Sequence, residues 1–391
     1  VKKNLLWIGD ACVPSGFARA THETLDAMDK DFNITVLGLN YRGDPYNYPY
    51  DVYAAQATGD WAGLNRLIWM CDLVKQKYGS LDVIVIQNDP WNIPMYTKHL
   101  KRFPEYAKVP VVGAIAVDGK NCDGMQMNDL ALGIFWTQFG LDEAREGGFR
   151  KSAAVIPLGV DLNVYKPMPK EEALKIVGLP EKYKDIFIVG NVNRNQPRKR
   201  LDLTIRYFAK WVKENNISPE QAALFLHVAP TGDTGVDLKG LMQYYGIVQY
   251  LLLATPEMFY GKSEAELCAT YNVFDLLVST TQGEGMGLTT MEAMACGVPC
   301  IVPAWAALGE WAVNAAYLVP CTSTAVGPPY VNVIGGIADE NLFVDAIDHL
   351  YSDKDARTLY AKSGLLRMQE EMFRWSNIGQ QFNDAVMELL Q

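Results

Sequence analysis

Short apolar runs alternate with helically spaced segments along the whole chain, and the alternation breaks off once, near residue 160. Few folds satisfy that pattern. Asn4–Gly9, Ile34–Leu39, Asp82–Gln87, Val109–Val117 and Leu132–Thr137 have strand length and little polar interruption, as strands buried on both faces do. Between them, Phe17–Met28 and Leu64–Tyr78 carry apolar residues at helical spacing. Ile156–Asp161 and Tyr165–Pro169 are rich in Pro and Gly and read as a linker. Strands then resume at Asp185–Val192, Ala223–Val228, Val248–Leu253, Leu276–Ser279 and Pro299–Val302. Helices are expected at Leu201–Asn215, Leu238–Tyr245, Glu264–Tyr271 and Thr289–Cys296, and Asp355–Leu390 reads as two more. Repeated strand–helix–strand units require right-handed crossovers and parallel sheets. The expectation is an α/β chain of two doubly wound domains, with ligands outside the carboxyl ends of the strands, in a cleft. The boundaries are set at residues 1–165 and 166–375, with a last helix over 376–391 returning towards the first domain.

Composition removes several classes of function. With 391 residues and 49% hydrophobic content, there is material for two cores. No apolar stretch approaches the roughly 20 residues of a membrane span, so none is expected. The formal charge is −10, with 35 basic against 45 acidic residues, which argues against coating nucleic acid through bulk charge. A local basic groove stays open. Seven cysteines at 12, 71, 122, 268, 296, 300 and 321 show no pairing pattern and read as free thiols of a reducing compartment. The chain enters its first strand at once, so no signal peptide is read and a cytoplasmic location is expected. The four histidines form no metal-ligand spacing, so no metal site or prosthetic group is expected. No nucleophile elbow appears.

Four segments carry chemistry. Gln282–Pro299 follows a buried strand, holds Gly283, Gly285 and Gly287, and opens a helix near Leu288. Such glycines let backbone N–H groups approach a phosphate, and a helix N-terminus adds positive potential. Glu284 lies in the loop, suited to sugar hydroxyls, and Glu292 lies in the helix, suited to a ribose diol. The bland alternative is a tight turn and a solvated Glu292. Gly190–Arg200 gathers Arg194, Arg198, Lys199 and Arg200 at a strand end, placed to neutralise a leaving diphosphate or simply to form a solvated turn. Asp10–Arg19 offers Gly16 near a phosphate but lacks the G-x-G-x-x-G of a dinucleotide site, which sets aside a NAD-linked dehydrogenase. Asp118 ends a strand, either in the cleft or as a turn residue before Gly119.

Together these segments resemble the retaining GT-B glycosyltransferases of family four. Ile156–Asp161 and Tyr165–Pro167 match the family's linker. Arg194 and Lys199 match its paired cations, and Glu284–Leu288 with Glu292 match its E-G-x-G-L and E-x7-E motif, running on into Ala293, Gly297 and Pro299. Glu310 sits where a further glutamate is common, and Ser15-Gly16 fits the N-terminal small-residue loop. The resemblance implies two Rossmann-like domains, a nucleotide-diphosphate sugar held by the second (UDP-linked is expected), an acceptor held by the first, and retention without a metal ion. It implies Arg194 and Lys199 on the diphosphate, with Asp118 and Glu284 completing the catalytic set. Glu284, Gly285, Met286, Gly287 and Leu288 would hold the sugar, Glu292 the ribose, and Gly16 the phosphates. Ala254, Pro256 and Met258 would border the nucleobase. One departure stands out. Where the family often has a histidine before the aspartate, this chain has Val117.

The stretch GDACVPSGFARATH also resembles sugar transferases of tailed bacteriophages, some of which decorate hydroxymethylated pyrimidines in DNA. On that reading the acceptor is a modified base. His22, Trp91, Lys98, Lys101 and Arg102 are acceptor-side candidates, with Lys108, Lys120 and Tyr96 near by. A solvated helix face is the alternative for the lysines. Other open readings are a bacterial glycan or small-molecule transferase, a sugar-nucleotide epimerase or hydrolase, and a protein that binds the nucleotide sugar without turnover.

Overall fold

The computed structural model of the protein describes residues 1–56, 59–228, 234–253, 263–328 and 331–391. The chain divides into two compact units: Val1–Val117 with Asn121–Leu158 and Met372–Gln391, and Asp118–Lys120 with Gly159–Glu371.

The first unit is built on a seven-stranded sheet. Its strands are β1 (Lys3–Asp10), β2 (Phe32–Leu39), β3 (Asp51–Ala54), β4 (Val83–Asn88), β5 (Val111–Ile115), β6 (Leu132–Phe135) and β7 (Ser152–Val155). They pair in parallel in the order β3-β2-β1-β4-β5-β6-β7. The central strands are apolar on both faces because helices cover both, and every residue of β4 is buried. The strand order reverses between β1 and β4, so the loops after these strands open at the switch point where such sheets receive ligands. The helix Gly16–Met28 follows β1. It starts where the Ser15 hydroxyl accepts the Ala18 N–H at 3.0 Å. The last helix, Trp375–Leu389, packs against it. At Gly379 a Cβ would lie 2.4 Å from that of Ala27, so the two backbones run very close. Trp7 and Phe382 meet at 5.6 Å between ring centroids.

The second unit repeats the scheme with β8 (Phe187–Val192), β9 (Ala222–His227), β10 (Leu251–Leu253), β11 (Leu276–Val278), β12 (Cys300–Pro303) and β13 (Tyr317–Val319). The order is β10-β9-β8-β11-β12-β13, all parallel. Here the switch point lies between β8 and β11. The loops that follow these two strands are the basic and the glycine-rich segments singled out in the sequence. Topology therefore brings two segments about ninety positions apart to one edge.

Several features differ from the sequence reading, among them β3, β7 and β13, the helix Glu340–Ser352 and two in the second unit with a visible cause or consequence. Val248–Tyr250 is a 3-10 turn and only Leu251–Leu253 is strand, because the Tyr250 ring is buried and its hydroxyl donates to the Ile217 carbonyl at 2.7 Å. A two-stranded antiparallel hairpin, β14 (Cys321–Gly327) and β15 (Val333–Ala338), stands where no strands are expected. Lys120 joins it through a pair of backbone hydrogen bonds with Ile334, both 3.0 Å.

Candidate functional site

The loop after β8 passes through the turn Pro197–Lys199 before the helix Leu201–Glu214. The turn aims two cations at the loop after β11. Lys199 Nζ donates to Glu284 Oε1 at 2.5 Å. Arg198 bridges two carboxylates: its Nε lies 2.9 Å from Asp118 Oδ2 and its Nη1 3.1 Å from Glu284 Oε2. Nη1 also donates to the Gly283 carbonyl. The side chains of Lys199, Glu284 and Asp118 are only 13%, 10% and 9% exposed, so these charges interact at short range with little water. Burial pushes the Glu284 carboxyl up, but Lys199 and Arg198 outweigh it and hold it down at about 2. Glu284 is therefore an acceptor-only carboxylate at neutral pH. Burial raises the Asp118 carboxyl, with Arg198 working against it. Burial also lowers the Lys199 ammonium, which Glu284 opposes.

The glycine loop is tightly made. At Gly283 a Cβ would fall 1.8 Å from the Asp118 carbonyl oxygen, so only glycine allows this approach. Gly287, with φ 91°, turns the chain into the helix Leu288–Ala295. Gly285, Met286 and Gly287 are buried, and Leu288 is half-buried. Trp311 Nε1 donates to the Met286 carbonyl at 2.7 Å. Glu292 is 4% exposed, not solvated, and accepts a hydrogen bond from the Tyr271 hydroxyl. Arg194 is exposed on the same loop as Lys199. Ala254, Pro256 and Met258 lie outside the described residues. All seven cysteines are free, as expected, and Cys268 and Cys296 come within 3.7 Å between sulfurs.

In the first unit, Gly16 is the exposed first residue of its helix. His22 is buried: its Nε2 accepts the Cys12 N–H at 2.9 Å and its Nδ1 faces the Tyr50 hydroxyl at 2.7 Å. Trp91 is half-buried. Tyr96 is wholly buried, with its hydroxyl on the Ala62 carbonyl at 2.9 Å, so it offers no face to a displaced base. Lys98 donates to Gln126 at 2.7 Å, Lys101 pairs with Asp129, and Arg102 is exposed. These three close the helix Ile93–Leu100, which runs back from the carboxyl edge of β4. Lys120 belongs to the second unit, where its ammonium sits 5.4 Å from the Trp305 ring centre.

Burial holds the His22 imidazole down at about 4, against 6.5 for the free side chain. The unfolded chain then binds more protons between these values. Stability from His22 is fully present above about pH 6.5 and is lost as pH falls towards 4. Denaturant titrations should show wild type losing about 2–3 kcal/mol more than His22→Gln across that window.

The description Family 4 Glycosyltransferase in conflict systems matches residues 142–382, more than half of the chain. The chain belongs to family 4 of the glycosyltransferases. Among similar curated proteins is the D-inositol 3-phosphate glycosyltransferase of Stackebrandtia nassauensis, 26% identical over 241 residues, 61% of this chain and 49% of that protein. That of Geodermatophilus obscurus is 30% identical over 173 residues, 42% of this chain and 36% of that protein. The chain thus spans about half or less of the length of these relatives. Among solved structures, sucrose-phosphate synthase of Thermosynechococcus elongatus superposes with a TM-score of 0.77 at 19% identity over 99% of both chains. HepE of Anabaena, in complex with UDP and glucose, gives 0.71 at 16% identity over 98% of this chain and 99% of that one. The expected GT-B fold is the one found.

Within this family-4 chain, Arg198, one of the basic run in the sequence, also joins Asp118 to Glu284, and two further residues of the site carry no sequence signal. Tyr271 and Trp311 fix Glu292 and the glycine loop from other helices, and no local signal marks them.

Proposed function

We propose that the chain transfers a sugar from a nucleotide-diphosphate sugar, UDP-linked, to an acceptor hydroxyl, with retention of configuration and no metal ion. The observation that carries this reading is the buried network of Lys199, Arg198, Glu284 and Asp118 at the switch point of the second sheet, next to the N-terminus of the helix Leu288–Ala295. Lys199, Arg198 and Arg194 offset the charge that grows on the departing diphosphate, aided by the helix N-terminus. Glu284, ionised at neutral pH, accepts from sugar hydroxyls, and Glu292, fixed by Tyr271, accepts from the ribose. The bond from the sugar to the phosphate oxygen breaks, and the acceptor oxygen bonds the same face. The leaving phosphate oxygen takes the acceptor's proton. No enzymic nucleophile is required. HepE, whose structure holds UDP and glucose, supports the UDP donor.

The acceptor in this reading is a hydroxymethylated pyrimidine of phage DNA, taken by the first unit. The resemblance of GDACVPSGFARATH to phage sugar transferases supports it. The relatives acting on inositol phosphate favour the rival, a small-molecule acceptor. The test is to incubate the protein with pooled nucleotide sugars and DNA carrying 5-hydroxymethylcytosine or 5-hydroxymethyluracil, with and without EDTA, and to weigh the nucleosides. The expected result is a hexose or pentose on the modified base only, undiminished by EDTA. Free sugar without transfer would indicate a hydrolase. Donor bound without any turnover would overturn enzymic activity.

A further inference from the structure

The segment Asn40–Tyr50 carries Tyr41, Tyr46, Tyr48 and Tyr50 together with Pro45 and Pro49. It leaves the carboxyl end of β2 beside the loop after β1 and returns to the start of β3, where Asp51 lies opposite Thr35. Residues two apart on an extended chain share one side, and these rings do so. Tyr46 and Tyr48 are inclined by 23° with centroids 6.4 Å apart, and Tyr48 and Tyr50 by 9° at 5.6 Å. The series is anchored from below: the buried His22 stacks on Tyr48 at 3.6 Å and 4°. Its members are tied to the backbone as well. The Tyr46 hydroxyl accepts the Val52 N–H at 3.0 Å, and the Tyr41 hydroxyl donates to the Asp44 carbonyl at 2.8 Å. Tyr41 and Tyr50 are each 5% exposed, whereas Tyr46 and Tyr48 stand at 38% and 37%.

We propose that Tyr46 and Tyr48 are the stacking platform for the acceptor's nucleobase, an unpaired or extruded pyrimidine. The inference rests on the transferase reading above and assigns residues to the acceptor side. Near-parallel rings in series are the arrangement on which successive bases of a single strand lie. Prolines and the His22 stack fix the ring planes in advance, so a ligand orders little on arrival. Arg42 is exposed on the same segment. Asp44 is exposed there too, so stacking rather than net charge carries recognition, as suits a chain of charge −10.

The test uses the full chain and a fluorescein-labelled single-stranded oligonucleotide with one 5-hydroxymethylcytosine, read by anisotropy. Tyr46→Ala/Tyr48→Ala should weaken binding about tenfold or more, and Tyr48→Phe should stay within about twofold of wild type. An abasic residue at the modified position should cost wild type as much as the double substitution does. Equal affinity of wild type and double variant overturns the proposal, as does tight binding of the abasic strand. So does a loss seen with methyl α-glucoside in place of the oligonucleotide. Thermal melting of each variant checks the fold, and UDP binding by calorimetry reports on the donor side. A wild type that binds the oligonucleotide through the tyrosines but never binds UDP would fail the transferase reading and leave the platform standing.

Discussion

Lys199→Met is expected, on the proposed transferase reading, to lower the rate of sugar transfer about 10²–10³-fold in single turnovers, because the charge on the diphosphate grows as it departs and a cation beside it then favours the transition state over the bound donor. The fold should survive the change. The substitution leaves Glu284 buried with Arg198 still beside it, at 3.1 Å, and so costs about 2–3 kcal/mol by denaturant titration. The two effects separate in the double variant Lys199→Met/Glu284→Gln. Removing both members of the closest pair, 2.5 Å apart, leaves no stranded charge, and stability should return to within about 1 kcal/mol of wild type. Activity should not return. Transfer by Lys199→Met at the wild-type rate would mean that Lys199 serves only to neutralise Glu284.

The candidate site was legible where its residues are local in sequence. Glycines at 283, 285 and 287 after an apolar run, and cations clustered after another, mark loops at strand ends, and the doubly wound pattern puts strand ends at a ligand edge. What stayed hidden depends on contacts far apart in sequence. Asp118 follows β5 of the first sheet, yet it belongs to the second unit, held by Arg198 and by the Lys120–Ile334 pairing. No spacing rule reports that. Glu292 stands out in the sequence as a ribose candidate, but its fixing by the Tyr271 hydroxyl, 21 positions away, does not. The hairpin β14–β15 escaped for a different reason: Cys321–Gly327 is largely exposed and polar, with no apolar alternation to detect. β3 has four residues, too few for a period to show. The helix Glu340–Ser352 did leave a signal, since Asp339 caps it by accepting the Asn341 and Leu342 N–H groups.

Gly283→Ala tests whether the glycine loop is a geometric requirement of the site or a flexible turn. The added Cβ would sit 1.8 Å from the Asp118 carbonyl oxygen, a backbone atom that no rotamer change can move away. Either the loop or the Asp118–Lys120 segment must shift, and both are fixed from the other side. Arg198 grips Asp118 at 2.9 Å and the Gly283 carbonyl, while Lys120 is paired with Ile334. The expected cost is about 2–4 kcal/mol, a fall in melting temperature of about 5–12 °C for a unit of this size. Transfer measured well below the new melting temperature should fall about 10²-fold, since the shift moves Glu284 and Asp118 apart. Gly327→Ala is the control: a Cβ there meets nothing within 4 Å, so melting and transfer should both stay as in wild type. If Gly283→Ala behaves like that control, the loop has room to move and the close approach to Asp118 does not hold the site together. If it loses activity but not stability, the approach serves the chemistry alone, and the ion network rather than the backbone contact holds the loop in the fold.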